Sequence, residues 1–334
     1  MTKQFDNQEI SVGVVGLGLM GTSIAVALLI AGHKVIGIAP MPGEKEKASF
    51  HIKDQLKLCE KDGLLTKSWE IYLLSLIITD NYKLLNDCNL VLECVVESVE
   101  IKESVYKNIV PFINSDTIIG SNTSAVPISL LQQYVTYPER FIGIHWAEPA
   151  FATRFMEIIC GSETSIQTAE WVFKLANNWG KEPTILKKDI RGFITNRLMY
   201  AVYREALHLV ENGEATIEDT DKAFRYDAGS WMTLMGVFRR MDFLGLSDYW
   251  RIFKNLMPGL NNSDEVPKLM QHLVDINALG IRNGKGLYEY SIEEANDWEE
   301  AFTSFNKDIY QLASMYPSKP VDILLQEQRV SSQL

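Results

Sequence analysis

Gly16-Leu17-Gly18-Leu19-Met20-Gly21 lies between the apolar run Val12-Gly13-Val14-Val15 and a helical pattern that opens at Ser23-Ile24-Ala25. A G-x-G-x-x-G at a strand-to-helix junction restricts what the chain can become more than any other stretch. Glycines there permit a tight turn and the close approach of a pyrophosphate, whose charge then meets the free N–H groups of a helix N-terminus. The turn predicts a dinucleotide-binding α/β fold, with Gly16, Gly18, Leu19, Met20 and Gly21 as cofactor-binding candidates.

The same rhythm continues downstream. Ile10–Gly16, Val35–Ile38, Asn89–Val95, Thr117–Ser121 and Arg140–His145 read as strands, with helices expected over 20–31, 43–62, 99–112 and 127–134. Near-continuous apolar strands alternating with helices predict a mostly parallel sheet covered on both faces. Residues 1–188 are therefore expected to form a Rossmann-type, doubly wound α/β domain. After Lys188 the strand signal ends. Gly192–Asn212, Thr216–Arg225, Val237–Lys254 and Asp264–Asn277 read as helices, which predicts an all-α C-terminal domain over 189–290. Residues 291–334 extend it as a helix followed by a polar tail containing Pro317 and Pro320. A length of 334 residues suits two domains of ordinary size.

A formal charge of −11, with no basic tail or stripe dominating, argues against nucleic acid as a partner. Cys59, Cys88, Cys94 and Cys160 are scattered without a C-x-x-C, which suggests neither a metal site nor a disulfide framework. Met1–Glu9 is polar and lacks a signal-peptide core. The longest apolar helix, Leu19–Ala31, falls short of the ~18 residues needed to cross a bilayer. No membrane association and a cytoplasmic location are expected.

Three polar islands interrupt the apolar strands. Asn122-Thr123-Ser124 follows Thr117-Ile118-Ile119-Gly120, His145 ends Phe141-Ile142-Gly143-Ile144, and Glu157 sits inside Phe155-Met156-Glu157-Ile158-Ile159. A charge inside an apolar run is expensive without a partner. A hydroxyl, an imidazole and a carboxylate at neighbouring strand ends suit proton transfer to or from an alcohol oxygen. Each alone has a structural reading too: a polar loop, a satisfied core histidine, a salt-bridged carboxylate. The acid that usually ends the second strand and holds the adenosine ribose is absent from Ala39-Pro40-Met41-Pro42, where Glu44 is the nearest carboxylate and Lys45 the nearest cation. The residues favour a dinucleotide and leave NAD and NADP both open.

With these pieces in place, the chain resembles the 3-hydroxyacyl-CoA dehydrogenase family from about Ser11 to Tyr290. The resemblance is carried by the glycine turn, Leu92-Glu93-Cys94-Val95-Val96-Glu97, Ser121-Asn122-Thr123-Ser124, His145, Glu157, Gly192-Phe193-Ile194-Thr195-Asn196-Arg197-Leu198, Met235-Gly236-Val237-Phe238 and Gly284-Lys285-Gly286-Leu287-Tyr288-Glu289-Tyr290. It implies hydride transfer between a nicotinamide cofactor, NAD, and the 3-hydroxy or 3-keto group of a short-chain acyl-CoA. His145 would then be the general acid/base, Glu157 its orienting carboxylate, Ser124 a donor to the reacting oxygen and Asn196 a holder of the substrate carbonyl. Glu97, Lys102 and Asn122 map to positions near the nicotinamide ribose.

Departures from the family pattern bear on the substrate. Trp146-Ala147-Glu148-Pro149 puts a carboxylate, Glu148, where the family carries a neutral amide; Arg191 and Val237 replace prolines. Trp231-Met232-Thr233-Leu234 is similar to members that oxidise small hydroxy acids, L-gulonate 3-dehydrogenase and carnitine dehydrogenase. Lys53, Lys57 and Lys61 fall on one helical stripe, in a segment that flanks CoA in the family, although charged helix faces are usually just solvated. The resemblance also implies a homodimer through the helical domain. There Phe224, Tyr226, Trp231, Phe238, Phe243, Tyr249, Trp250 and Phe253 are expected to be mostly core, and Trp298, Phe302, Phe305 and Tyr310 to pack across the interface. Two alternatives accompany the acyl-CoA reading: a dehydrogenase of a small non-CoA 3-hydroxy compound whose cation pairs with Glu148, and a dinucleotide-binding protein without turnover.

Overall fold

The structure, a computed structural model, describes residues 10–314; Met1–Glu9, the tail with Pro317 and Pro320, and the side chain of Tyr310 lie outside the described residues. The described chain forms two compact units, the first running through Ile194 and the second comprising Thr195–Asp308.

Eight strands build the first unit: β1 Ser11–Val15, β2 Lys34–Ile38, β3 Leu76–Thr79, β4 Leu90–Glu93, β5 Ile118–Ser121, β6 Phe141–Trp146, β7 Phe155–Ile159 and β8 Glu182–Leu186. They lie in the order β3-β2-β1-β4-β5-β6-β7-β8, all pairs parallel except β6–β7. The helices are α1 Leu19–Ile30, α2 Glu44–Lys61, α3 Trp69–Leu73, α4 Val99–Ile109, α5 Ile128–Leu131 and α6 Ile166–Asn178. Side chains alternate along each strand, so both faces are apolar. Val12, Val14, Leu90, Leu92, Ile142 and Ile144 pack in one core cluster with α1, α2 and α6. Val15, Val91 and Phe141 pack in the other with Tyr106, Ile109, Ile128 and Leu131 of α4 and α5. This is the mostly parallel, doubly wound sheet that the alternation predicts.

Two strands escaped the sequence reading for local reasons. β3 lies at the sheet edge, is only partly buried, and merges with the apolar residues of α3 that precede it. β8 carries Glu182, Pro183 and Thr184, and proline is tolerated because this strand lies at the opposite edge.

The second unit is helical: α7 Thr195–Glu211, α8 Ile217–Ala223, α9 Gly229–Leu244, α10 Leu246–Leu256, α11 Lys268–Asp275 and α12 Ile292–Ser314. A single helix was expected over 237–254. Gly245, at φ 105°, ends α9 and starts α10, and Gly236, at φ 69°, kinks α9 internally. Left-handed backbone of this kind is open to glycine at little steric penalty. The expected aromatic core is a second correction. Tyr226, Phe238, Phe243, Trp250 and Phe253 are exposed, Phe224, Trp231 and Tyr249 half-buried, and no described residue of α7–α11 is buried. Trp298, Phe302 and Phe305 of α12 are also exposed. Among the described residues no helix is long and apolar enough to cross a membrane.

Candidate active site

The glycine turn connects β1 to α1 as the motif requires. Gly16 adopts φ 92°, and a Cβ there would lie 2.8 Å from a Val95 methyl and 3.0 Å from the Cys94 backbone. At Gly21 a Cβ would come within 1.9 Å of the Gly16 carbonyl oxygen. Over Gly18, by contrast, nothing lies within 4 Å, so the space a diphosphate would occupy is open. Gly18 offers no side-chain cap and the first turn carries no acidic residue, leaving the N-terminal N–H groups of α1 for an anion. Leu19 is 69% exposed at the rim and Met20 packs partly against the core. The cradle fits a dinucleotide. At the end of β2, Ala39 is buried, and Glu44 turns its carboxylate back to accept from the Met41 N–H at 3.1 Å.

A buried polar knot closes the end of β4. Glu93 and Lys102 both have fully buried side chains, and the Lys102 ammonium donates to both Glu93 oxygens at 2.8 and 3.0 Å. Glu93 also accepts from the Val95 N–H, the Tyr106 hydroxyl and the Ser121 hydroxyl, all within 2.8 Å. Lys102 reaches Glu97 at 3.3 Å as well. Glu97 in turn accepts from Thr123 Oγ1 and from the backbone N–H groups of Ser124 and Ala125 at 2.6–2.9 Å. Burial pushes the Glu97 carboxyl up, but the Thr123 hydroxyl, the Lys102 charge and the two N–H groups outweigh it and hold it below the usual range. Lys102 thus reaches the loop of Ser124 through Glu97. Glu93, Tyr106 and Ser121 were missed as site support. Their signal was a carboxylate ending an apolar strand, with a lysine nine residues on.

The three polar islands converge at the far ends of β5, β6 and β7. His145 and Glu157 stand opposite each other in the antiparallel register of β6 and β7. Their side chains meet, His145 Nδ1 to Glu157 Oε2, at 2.8 Å. The other imidazole nitrogen, Nε2, lies 3.1 Å from Ser124 Oγ. Glu157 is 1% exposed and its second oxygen accepts from the Ile194 N–H at 3.0 Å. The imidazole is flanked by Phe155 at 5.4 Å, edge-on, and by Phe193 at 5.7 Å. Asn122 ties the strand ends together: its side-chain oxygen accepts from the Trp146 N–H at 3.0 Å, and its own N–H is held by the Glu93 carbonyl. With Nδ1–H donated to the carboxylate, Nε2 is left to exchange a proton with a hydroxyl.

The loop joining β6 to β7 carries Glu148. Its carboxyl lies by Ser23 of α1, and its Oε2 is sealed from solvent without a hydrogen-bond partner in the protein. Burial pushes this carboxyl up to about 7 against a smaller opposing pull from the Ser23 hydroxyl. The loop is anchored by buried Lys181, which donates to the carbonyls of Ala150 and Thr153 and lies over the Trp146 ring. Burial, and then the Arg154 charge, bring that ammonium down to about 7.

Of the remaining candidates, Lys53 and Lys57 are exposed on α2, where Lys57 stacks on Trp69 at 5.0 Å. Asn196 is in the first turn of α7, in the second unit. Among the described residues no three His, Cys, Asp or Glu side chains are grouped to hold a metal ion.

The comparisons agree with this geometry. The profile described as 3-hydroxyacyl-CoA dehydrogenase, NAD binding domain, matches residues 11–190, and the corresponding C-terminal domain matches residues 192–290. A 5-formyl-3-hydroxy-2-methylpyridine 4-carboxylate 5-dehydrogenase of Mesorhizobium japonicum is 32% identical over 85% of this chain and 92% of its own length. An L-carnitine dehydrogenase of Oceanobacillus iheyensis is 34% identical over 70% of this chain and 76% of its own. A crystal structure of a dehydrogenase bearing the same pyridine-carboxylate name, described as an NAD+-dependent dismutase, matches with a TM-score of 0.83 and 29% identity, covering 92% of this chain and 98% of that one. With an NAD-binding cradle, a helical second unit and two profiles that together span most of its length, the chain belongs to the 3-hydroxyacyl-CoA dehydrogenase family of oxidoreductases.

Proposed function

We propose that this protein is an NAD-dependent dehydrogenase that interconverts a secondary alcohol and a ketone through His145, with a small hydroxy compound free of CoA as its substrate. The observation that carries the proton-transfer part is the chain Ser124 Oγ, His145 Nε2, His145 Nδ1, Glu157 Oε2, with links of 3.1 and 2.8 Å. In the oxidation, Ser124 donates to the substrate oxygen, His145 Nε2 takes the hydroxyl proton, and Glu157 stabilises the imidazolium that results. In the reverse direction the same nitrogen returns the proton. Bound NAD supplies the hydride acceptor, held at its diphosphate by Gly16, Gly18, Leu19, Met20 and Gly21. Asn122 ties the ends of β5 and β6, Glu97 holds the loop of Ser124, and Lys102 acts by fixing Glu97.

Glu148 supports this substrate class over an acyl-CoA. A half-buried carboxyl with an unpaired oxygen, three residues past His145, disfavours an anionic ligand as it ionises and favours one that brings a cation or a hydrogen-bond donor. The pyridine-carboxylate and carnitine names of two relatives support a substrate without CoA. A second reading, a short-chain 3-hydroxyacyl-CoA, is supported by the family and by exposed Lys53, Lys57 and Lys61 on α2.

A substrate panel at fixed NAD(H) and NADP(H), run from pH 6 to 8, tests both. Glu148 is neutral below about 7 and charged above it. The KM for a cationic hydroxy compound is expected to fall as the pH rises through that value, the KM for an acyl-CoA to rise, and Glu148→Gln to flatten either trend. Turnover confined to acyl-CoA esters, with Glu148→Gln flat against wild type, would eliminate the first reading. Turnover of nothing in the panel and no NAD binding by calorimetry would favour the non-catalytic alternative.

The exposed aromatic and aliphatic side chains of α9 and α10, Phe238, Phe243, Leu246 and Trp250, support a homodimer through the helical unit. Light scattering is expected to give twice the chain mass at micromolar concentration; a clean monomer would remove this part of the reading. A reduced, cytoplasmic setting belongs to the same reading and is supported by four free cysteines.

A further inference from the structure

Residues Asp189–Ile194 follow the last strand of the sheet, fastened at the start to Ser129 of α5 and at the end to the candidate site. Asp189 accepts from the Ser129 N–H at 2.6 Å and from the Ser129 hydroxyl at 3.0 Å, while that hydroxyl accepts from the Ser162 N–H at 2.8 Å. The chain then turns through two consecutive left-handed residues, Gly192 at φ 83° and Phe193 at φ 50°, with the Phe193 N–H closing on the Ile190 carbonyl at 3.0 Å. Glycine takes such a conformation readily; phenylalanine does not, and its presence there calls for a local reason. The reason lies in what the turn accomplishes. The Phe193 ring is 1% exposed and lies 5.7 Å from the His145 imidazole, and the next backbone N–H, that of Ile194, meets the Glu157 oxygen that His145 leaves unused.

We infer that Phe193 is a positioning residue for the His145–Glu157 pair: its ring braces the imidazole together with Phe155, and its left-handed backbone aims the Ile194 N–H at Glu157. This rests on the reading of His145 and Glu157 as the proton-transfer pair. A side chain that only filled the core would need neither the unusual backbone nor ring contact with the imidazole. The brace addresses both members of the pair from one residue, so a shift at Phe193 moves the ring contact and the carboxylate hydrogen bond together.

The test uses the full chain with Phe193→Ala, Phe193→Gly and Phe193→Leu, assayed on the best substrate of the panel, with proton NMR of the imidazole Nδ1–H. Misplacement of a reacting group by up to about 1 Å is expected to lower kcat about tenfold to a hundredfold in the alanine and glycine variants, with KM for NAD within about twofold. The Nδ1–H resonance is expected to broaden or shift in both. Leucine, which keeps much of the bulk, restores most of kcat. Glycine relieves the backbone conformation while alanine keeps it, so equal slowness in variants of unequal stability separates positioning from folding. Alanine and glycine variants with kcat within about twofold of wild type and an unmoved resonance would overturn the inference, however much either lowers the melting temperature. If alanine and glycine fail to fold, the leucine variant and its resonance decide, since a positioning role predicts a near-native resonance and measurable kcat there and a loss of both overturns it. His145→Gln in the same assay keeps the two claims apart. Full activity in that variant removes the reading of the pair itself, and inactivity beside normal Phe193 variants removes the brace alone.

Discussion

His145→Gln is expected to lower kcat by about 10²–10⁴-fold, the usual contribution of a positioned general acid or base, while leaving NAD affinity and the folded structure in place. Glutamine can still donate toward the Glu157 oxygen that His145 Nδ1 now meets at 2.8 Å, so the buried carboxylate keeps a partner. What glutamine cannot do is take up a proton near neutral pH. The companion change, Glu157→Gln, removes the charge that stabilises the imidazolium but keeps an oxygen for the Ile194 N–H. It is expected to cost less in kcat than the histidine change and to act through the same step, so the double variant should be little slower than His145→Gln alone. The checks are steady-state kinetics, NAD titration by calorimetry and circular dichroism. Turnover within about tenfold of wild type for His145→Gln, with normal NAD binding, would refute His145 as the proton-transfer residue.

Much of this site was legible because strand chemistry has a short period. Glu157 in an otherwise apolar run announced that a partner stood nearby, and the antiparallel register of β6 and β7 supplies it directly across the sheet. The glycine turn was legible for a steric reason: the cradle has no room for a Cβ at Gly16 or Gly21. Phe193 carries no such signal, because a phenylalanine between a glycine and an isoleucine looks like core, and only its positive φ and its neighbour's N–H give it a role. The helical unit misled the reading for the opposite reason. Apolar residues at helical spacing identify a face to be covered without saying what covers it, and within a single chain Phe238, Phe243 and Trp250 remain at the surface. Substrate identity was the least legible part: the proposed role of Glu148 depends on burial that no local pattern records.

Lys102→Met is expected to produce the largest loss of stability among single changes at the site. Both Lys102 and Glu93 are fully buried, and removing the ammonium leaves a carboxylate in the interior without its counter-charge. Breaking a buried pair from one side typically costs about 3–5 kcal/mol. The Val95 N–H and the hydroxyls of Tyr106 and Ser121 still donate to Glu93, which points to the lower end of that range. For a unit of this size about 3 kcal/mol corresponds to a melting temperature lower by roughly 6–12 °C, measurable by scanning calorimetry. Glu97 is affected too, because it loses one of the causes that hold its carboxyl below the usual range. A depressed carboxyl contributes stability that is complete above its ordinary pKa and is lost as the pH falls through its folded value. In Lys102→Met that folded value moves back toward the ordinary one, so Glu97 contributes less stability at neutral pH and its share of the loss on acidification should be smaller than in wild type. Ser124 is then less firmly held, and kcat should fall along with stability. Pairing the change with Glu93→Gln removes the stranded charge and is expected to recover much of the melting temperature without restoring the Lys102 contact to Glu97, so stability returns while kcat stays low. A melting temperature within about 2 °C of wild type for Lys102→Met would refute the Lys102–Glu93 ion pair as a main support of the knot at the end of β4 and leave that role to the hydrogen bonds from Val95, Tyr106 and Ser121.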